Sequence, residues 1–355
     1  MLLAVSLSAS DLAFELVGLA VAVAGQSPWV QLAGFAGYLA WAWIVSLRAI
    51  AVCAGRERPQ FLYAAGVITA LIAASVFVLP EARLWVPAPE VEREPAGLVR
   101  EKAFHDQGEL IERRLAAIEA GREGVTDLYF IGFAPDGSQD VFLREMRSVK
   151  ELLDRRFGAR GRSIALVSSE NALAEYPIAT ATNLRRALKQ VAARMNPDED
   201  VLFLYITAHG DARFELSAHA PPLELERVNP TVLSRALHDA GIKWKVLVIS
   251  ACYAGGFVEP LKDDNTLIIT AAAADRQSFG CQSGNDWTYF GEAFFGQALA
   301  RTHSFIEAYA LAAEAVAGRE AAEKLSPPSS PQMFAGRAVA EKLKALALPP
   351  EGAAR

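Results

Sequence analysis

Two residues of this 355-residue chain, a cysteine and a histidine, can supply a nucleophile and an acid–base group. Each stands at the end of a strand-like apolar run. The run at 200–210 ends in His209 and Gly210, and the run at 243–256 leads into Cys252. The carboxyl ends of parallel strands lie at one edge of a sheet, so the two side chains can converge if their strands are adjacent. A thiol beside an imidazole is the minimum for catalysis by a thiolate nucleophile.

Backbone donors accompany both residues. Gly210 can offer an N–H to a substrate, and the N–H of Cys252 at its strand-to-loop turn can offer a second. Two such donors form an oxyanion hole, in which the loss of one donor lowers turnover about 10²–10³-fold. Two alternatives stay open here: a strand-end cysteine is most often a packing residue, and His209, His219 and Cys252 could bind zinc, although they lack a standard ligand spacing. We predict neither a metal ion nor another cofactor.

The elements that must position these residues form an α/β region between residues 125 and 303. Short, nearly continuous apolar runs alternate with helical patterns, which predicts a parallel sheet covered by helices on both faces. The predicted strands are 127–134, 163–169 and 265–274, with two more that run into loops within 200–210 and 243–256. The predicted helices are 140–158, 181–195, 229–241 and 286–300.

Charge and cysteine content exclude several classes of protein. The net charge is −6, the pI is about 5.6 and no basic stripe is present, so we predict no nucleic-acid partner. Three cysteines, Cys53, Cys252 and Cys281, are too few for a disulfide scaffold, and none forms a CxxC pair. We expect Cys281 to be a small buried residue without a disulfide to Cys252, since that bond would abolish activity.

The first eighty residues have the composition of membrane-spanning helices. Residues 29–47 and 61–79 are each uncharged over 19 positions, and a helix of that length spans about 28 Å, close to the ~30 Å hydrocarbon core of a bilayer. The alternative is a pair of buried helices in a soluble core, which seldom run this long without charge. Residues 12–27 are predicted to be a third span or an interfacial helix, with Glu15 facing other helices or a polar cavity.

The orientation prediction depends on three arginines. Arg48, Arg56 and Arg58 lie in the turn between the spans at 29–47 and 61–79, and the positive-inside rule assigns that turn to the cytoplasm. We therefore expect an integral protein of the inner or plasma membrane, with the lipid bilayer as a partner and the catalytic region on the extracytoplasmic side. The sequence gives no prediction of oligomeric state.

Four segments follow from these patterns. We assign 1–80 to transmembrane helices, 81–124 to a proline-rich stalk and a linker helix, 125–303 to the α/β domain, and 304–355 to C-terminal helices and a tail.

The motifs around the two candidate residues resemble those of a known family. The runs LYITAHGD and VLVISACYAGGF, which place Cys252 43 positions after His209, resemble the two catalytic motifs of the legumain family. These are caspase-fold cysteine peptidases, which include asparaginyl endopeptidases and the transamidase that attaches lipid anchors. The runs TAAAADRQSFGC and YFIGFAPDGSQDVF are similar to outer segments of the same family, so the resemblance covers about 125–303. The protein is similar to a bacterial-type, membrane-anchored member.

The resemblance implies a mechanism and a fold. The fold would be caspase-like, with a mostly parallel sheet between two helix layers, preceded by the transmembrane helices. Cys252 would attack a peptide carbonyl, and His209 would protonate the leaving amine. The amides of Gly210 and Cys252 would bind the oxyanion, and water would then hydrolyse the acyl-enzyme. The family works with a Cys-His dyad, so we interpret Asp211 as a loop residue.

The same resemblance suggests a pocket for the side chain before the scissile bond. In family members that cleave after Asn or Asp, an arginine from the first strand–helix loop, a serine and an acid line this pocket. Ser278 and Asp286 match the last two, and Arg276 is a further candidate. The loop at 135–140 contains no arginine, so the basis for an Asn preference is missing and Asp286 could favour a basic or an amide side chain. Asp286 could equally cap the helix that follows.

Three functions are compatible with the predicted fold, dyad and membrane segments. The first is a membrane-anchored cysteine endopeptidase acting on a peptide or protein substrate. The second is a transpeptidase or transamidase, in which an amine instead of water reaches the acyl-enzyme on the same dyad. The third is a non-catalytic membrane sensor or assembly module that retains the fold. A decayed enzyme tends to lose its cysteine or histidine, and both are present here, which favours an enzyme.

Overall fold

The computed structural model describes residues 96–346, together with positions 40, 41, 43–46, 48, 63, 66, 67, 69 and 70. The chain divides into two compact units, Met1–Arg93 and Glu94–Arg355. In the first unit the described positions are helical, and the Trp43 indole donates a hydrogen bond of 3.0 Å to the Thr69 hydroxyl. The predicted spans lie wholly or mostly outside the described residues, and so does the proline-rich stalk. Among the described residues, no helix has the length and apolar character needed to cross a bilayer.

A six-stranded sheet forms the centre of the second unit, in the order β2-β1-β3-β4-β5-β6. Each of the first four neighbouring pairs is parallel, and β6 runs antiparallel to β5. The strands are β1 Leu128–Ala134, β2 Ser163–Val167, β3 Val201–Thr207, β4 Lys245–Ser250, β5 Thr266–Thr270 and β6 Gln332–Ala335. This confirms the predicted α/β class and the mostly parallel sheet.

Helices connect the strands and follow the sequence pattern closely. They are α1 Ala96–His105, α2 Gln107–Ala116, α3 Val141–Arg156, α4 Ala181–Arg194, α5 Pro230–Ala240, α6 Val258–Leu261, α7 at 289–301, α8 Phe305–Ala322 and α9 Arg337–Leu346. In α7, Tyr289–Gly291 and Leu299–Arg301 are α-helical, and Glu292–Ala298 between them is π-helical.

Two hydrophobic clusters cover the two faces of the sheet. Along β3, Phe203 and Tyr205 belong to a cluster with residues of α3, α7, α8 and α9, whereas Leu202 and Leu204 belong to a cluster with residues of α2, α4 and α5. Because successive strand residues point to opposite faces, a strand buried on both sides must be apolar almost throughout. This explains why the strands appear as continuous apolar runs.

Residues outside 125–303 also contribute to this unit. The C-terminal segment, predicted as helices and a tail, contributes the edge strand β6 before α9 begins at Arg337. The helix predicted as a linker packs on the domain, because Ile111 and Leu115 of α2 are buried in a core cluster. The Gln107 amide side chain also bonds to the backbone of Leu173 and Ile178.

Candidate active site

The two candidate catalytic residues follow neighbouring strands. Thr207 at the end of β3 pairs with Ser250 at the end of β4, and His209 and Cys252 each lie two residues further on. The pairing continues past the strands, since the Ala208 N–H donates to the Ser250 carbonyl at 3.2 Å. Both residues are half-buried. The adjacency on which the prediction depended is therefore present.

The loop after His209 touches the backbone of the other loop directly. A Cβ added at Gly210 would lie 2.3 Å from the Cys252 carbonyl oxygen, so only glycine fits between the two loops. Within the part of the chain that the structure describes, the N–H groups of Gly210 and Cys252 donate to no other residue. Two backbone donors in adjoining loops at the carboxyl edge of the sheet are therefore free for a ligand.

Contacts from the loop after β5 fix the thiol of Cys252. The Ser278 N–H donates to Cys252 Sγ at 3.3 Å, and the Ser278 carbonyl and hydroxyl oxygens lie 3.6 and 3.7 Å from the sulfur. Tyr253 adopts a left-handed backbone conformation with φ of 58°, and its N–H donates to the Arg276 carbonyl at 2.7 Å. Such a conformation is rare for a bulky residue and marks a sharp, constrained turn next to the sulfur.

His209 is held by its own hairpin and by an aromatic ring. The Phe142 ring of α3 meets the imidazole edge-on, with ring centroids 5.1 Å apart. The His209 carbonyl accepts a 2.9 Å bond from Ser217, which closes the hairpin. The Asp211 carboxylate accepts bonds from the N–H groups of Arg213 and Glu215, at 2.9 and 3.1 Å. Asp211 therefore stabilises its own turn, as expected for a loop residue.

The other predicted pocket residues occupy different environments. Ser278 contacts the nucleophile, as described above. Asp286 is 80% exposed and pairs with Arg144, whose Nε lies 3.2 Å from the carboxylate. The guanidinium of Arg276 pairs with Asp275 at 2.6 Å. The alternative that Asp286 caps the next helix is wrong, because Thr288 is the cap, and its hydroxyl accepts from the Gly291 N–H at 3.0 Å.

Arg144 is a candidate that the sequence motifs do not identify. The loop at 135–140 holds no arginine, and Arg144 lies one turn into α3. Its Nε and Nη2 donate to the Asn285 carbonyl at 3.1 and 2.6 Å, beside Asp286. A signal was available, because a helix that follows a parallel strand begins at the strand's carboxyl edge and can present its first turn to the site.

Residues 182–333 match the family model described as the Peptidase C13 family. This segment, less than half of the chain, is therefore similar to that family, the legumain family. The family is one of cysteine peptidases, and the protein is therefore assigned as a cysteine-type hydrolase. A comparison with curated proteins gave no match.

The matched segment includes both candidate catalytic residues of this chain, His209 and Cys252. It begins within α4 and continues through β3, β4 and β5 into β6. The elements β1, β2 and α3 precede it. Arg144, which contacts the loop at 285–286, therefore comes from outside the matched residues.

A second thiol lies close to the site. Cys252 and Cys281 lie in the described part of the chain, and neither forms a disulfide there. Burial raises the pKa of the Cys281 thiol to about 12, and the nearby charge of Cys252 adds to the increase. A thiol with this pKa stays protonated at neutral pH, so Cys281 is a poor nucleophile there. No cluster of three His, Cys, Asp or Glu side chains that could hold a metal ion occurs among the described residues, so zinc at His209, His219 and Cys252 finds no support.

Proposed function

We propose that this protein is a membrane-anchored endopeptidase of the legumain type that uses Cys252 and His209 as its catalytic dyad. The observation that carries the proposal is the close approach of Gly210 to the Cys252 carbonyl, with the N–H groups of both residues unpaired within the described part of the chain. A cysteine that served only for packing would not need two unpaired backbone donors in its own loop and the adjoining one. The mostly parallel sheet with helices on both faces supports a caspase-like fold.

The proposed reaction has two halves. The Cys252 sulfur attacks the peptide carbonyl carbon, and the thiol proton passes to His209. The carbonyl oxygen becomes an oxyanion that accepts hydrogen bonds from the N–H groups of Gly210 and Cys252. The C–N bond then breaks as His209 protonates the departing amine. Water, deprotonated by His209, attacks the resulting thioester and releases a carboxylic acid, which restores the thiol.

We assign the pocket for the residue before the scissile bond to Ser278, Asp286 and Arg144. Asp286 supplies an acceptor and Arg144 supplies donors, and the two lie 3.2 Å apart. A side chain with a terminal amide carries one acceptor and two donor hydrogens, so it complements both groups. Arg276 stays a further candidate for this pocket, and its guanidinium pairs with Asp275.

The anchoring part of the proposal depends on the two uncharged runs at 29–47 and 61–79. Four of the described helical positions in this part of the chain expose large apolar side chains: Trp43, Ile44, Tyr63 and Val67. Exposed apolar surface on a helix is costly in water and favourable in lipid. With Arg48, Arg56 and Arg58 on the cytoplasmic side, the peptidase unit would lie on the extracytoplasmic side.

The test uses the full chain in detergent micelles, incubated with a diverse peptide mixture between pH 5 and 8. Mass spectrometry identifies the new termini, with Cys252→Ala and His209→Ala as matched controls. We expect cleavage after amide side chains that disappears in both variants. Ligated products would instead favour the transpeptidase. No product at any pH from a folded protein would contradict catalysis and favour a non-catalytic module.

A further inference from the structure

A fully buried carboxylate lies beneath the candidate active site. Glu145 of α3 is 0% exposed and accepts four hydrogen bonds. One carboxylate oxygen accepts from the hydroxyl groups of Tyr205 and Thr207, the second of these at 2.9 Å. The other oxygen accepts from the N–H and the hydroxyl of Thr288, at 2.7 and 2.8 Å. A buried carboxylate is costly unless its lone pairs are used, and here they are.

These bonds connect Glu145 to both strands of the dyad. Thr207 lies two residues before His209 on β3. On β4, the Ser250 hydroxyl lies 3.2 Å from the Thr288 hydroxyl, and Ser250 lies two residues before Cys252. Glu145 therefore bonds directly to the histidine strand and, through Thr288, reaches the cysteine strand.

The loop at 278–288 is held by the same helix. Its first residue, Ser278, donates its N–H to Cys252 Sγ, and its last, Thr288, donates to Glu145. In between, Arg144 of α3 binds the Asn285 carbonyl. The helix that follows this loop packs tightly against Glu145, since a Cβ at Gly291 would overlap the Glu145 carboxylate. The loop that contacts the sulfur is therefore fixed at its far end by two consecutive residues of α3.

We propose that Glu145 is a positioning residue, which aligns the His209 strand, the Cys252 strand and the Ser278 loop through one buried carboxylate. The proposal rests on the function proposed above, because alignment matters only if the dyad reacts. Glu145 touches no substrate, and it acts through Thr207, Ser250 and Thr288. Displacement of a reacting group by about 1 Å can lower a rate about 10²-fold, so loss of this bond network should appear in catalysis as well as in stability.

Two substitutions at position 145 separate alignment from simple loss of stability. Glu145→Ala removes all four bonds and leaves the Thr288 N–H unpaired. Glu145→Gln can keep them, because its amide oxygen can face Thr288 while its NH₂ donates to the hydroxyl oxygens of Tyr205 and Thr207. We expect Glu145→Gln to rescue the activity that Glu145→Ala loses.

Asp127 provides a matched control at the amino-terminal ends of the parallel strands, opposite the dyad. It is 1% exposed, precedes β1 and accepts three bonds from Arg122, at 2.7, 2.9 and 2.6 Å. Asp127→Ala therefore also removes a hydrogen-bonded buried carboxylate, but far from the dyad along the strands. Both alanine variants should lower the midpoint of thermal unfolding, whereas only Glu145→Ala should change the reaction at Cys252.

Two assays on the full chain complete the test. The first measures kcat and KM with a peptide substrate at a temperature at which all variants are folded. The second measures the rate of alkylation of Cys252 by iodoacetamide across pH, read by peptide mapping, which needs no peptide cleavage. We expect Glu145→Ala to lower kcat/KM about 10- to 100-fold and to shift the pH dependence of the Cys252 alkylation rate. Asp127→Ala and Glu145→Gln should change kcat/KM, and the alkylation rate at each pH, by less than about threefold.

The possible outcomes are distinct. A folded Glu145→Ala variant with wild-type kcat and a wild-type alkylation profile would overturn the proposal. If the wild-type protein cleaves no peptide, the proposed function fails, and the alkylation profiles still decide whether Glu145 positions the thiol. If Glu145→Ala does not fold, Thr288→Val removes the hydroxyl link between Glu145 and Ser250 while keeping the N–H. An unchanged Thr288→Val variant would then overturn the proposal.

Discussion

An alanine at position 210 would insert a methyl group between the two catalytic loops. A Cβ at this position falls 2.3 Å from the Cys252 carbonyl oxygen, and real Cβ atoms essentially never approach closer than 3.0 Å. The obstructing atom belongs to the backbone, so no side-chain rotation can relieve the overlap. One of the two loops must therefore move.

The size of the movement follows from these distances. The loops must separate by at least about 0.7 Å, the difference between the 2.3 Å approach and the 3.0 Å minimum. His209 precedes the new methyl group and Cys252 carries the displaced carbonyl, so the separation acts directly on the dyad and on both oxyanion donors. A displacement of about 1 Å can lower a rate about 10²-fold. We therefore expect Gly210→Ala to lower kcat/KM about 10- to 100-fold, or about 1.4–2.7 kcal/mol of transition-state stabilisation.

The assay compares kcat/KM for one peptide substrate in wild type, Gly210→Ala and Gly318→Ala. Gly318 lies within α8, and a Cβ there meets no heavy atom within 4 Å. Gly318→Ala should thus leave kcat/KM unchanged and raise the free energy of unfolding by about 0.5–1 kcal/mol. Thermal melts confirm that both variants are folded. A folded Gly210→Ala protein with wild-type kcat/KM would refute the claim that this contact sets the geometry of the dyad.

Three further predictions follow from the titratable groups. Since burial raises the pKa of Cys281 to about 12, iodoacetamide at pH 7.5 should label Cys252 much faster than Cys281, and Cys281→Ser should keep full activity; equal labelling would contradict this. Burial also raises the pKa of Glu145 above its ordinary value of 4.5, an increase that hydrogen bonds from Tyr205 and its other donors partly offset. The folded protein then holds the proton more tightly than the unfolded chain, so the contribution of Glu145 to the free energy of unfolding is greatest below pH 4.5 and is lost as pH rises through the folded pKa. Denaturant unfolding between pH 4.5 and 8 should show this fall, and Glu145→Gln should remove it; a variant with the wild-type slope would contradict the assignment. Asp286→Asn should lower kcat/KM for peptides with an amide side chain before the scissile bond about tenfold, yet change stability by less than about 1 kcal/mol, because its ion pair is largely exposed; an unchanged substrate preference would remove Asp286 from the pocket.

The central sheet could be predicted from the sequence because burial on both faces leaves a local pattern. Every residue of β1, β3, β4 and β5 is buried, so each strand appears as an apolar run. The connection rules for parallel strands then bring the ends of β3 and β4 to one edge. The sequence thus predicted that His209 and Cys252 could converge, and the pairing of Thr207 with Ser250 supplies the adjacency.

Strand β6 could not be predicted in the same way. Of its four residues, Gln332–Ala335, the outer two are exposed and the inner two are partly buried, because an edge strand has only one neighbour. Such a short segment carries neither an apolar run nor a clear period of two. Its pairing with β5 depends on the placement of α8, which returns the chain to the sheet edge, and that placement is tertiary information.

The residues that position the site carry a weaker signal than the residues that react. Cys252 and His209 are identified by where they stand along the chain, just past a strand, whereas Arg144 and Glu145 act on the loop at 278–288, more than 130 positions later. One local feature still distinguishes Glu145. It lies on the buried face of α3, together with Phe142, Met146 and Val149. An acid among core residues on an amphipathic helix must find donors, and a helix that starts at the carboxyl edge can reach them only from the strand ends and loops that form the site. A charged residue on the apolar face of a helix that follows a parallel strand, as Glu145 does on α3 after β1, therefore predicts a role in positioning the site residues before any contact is known.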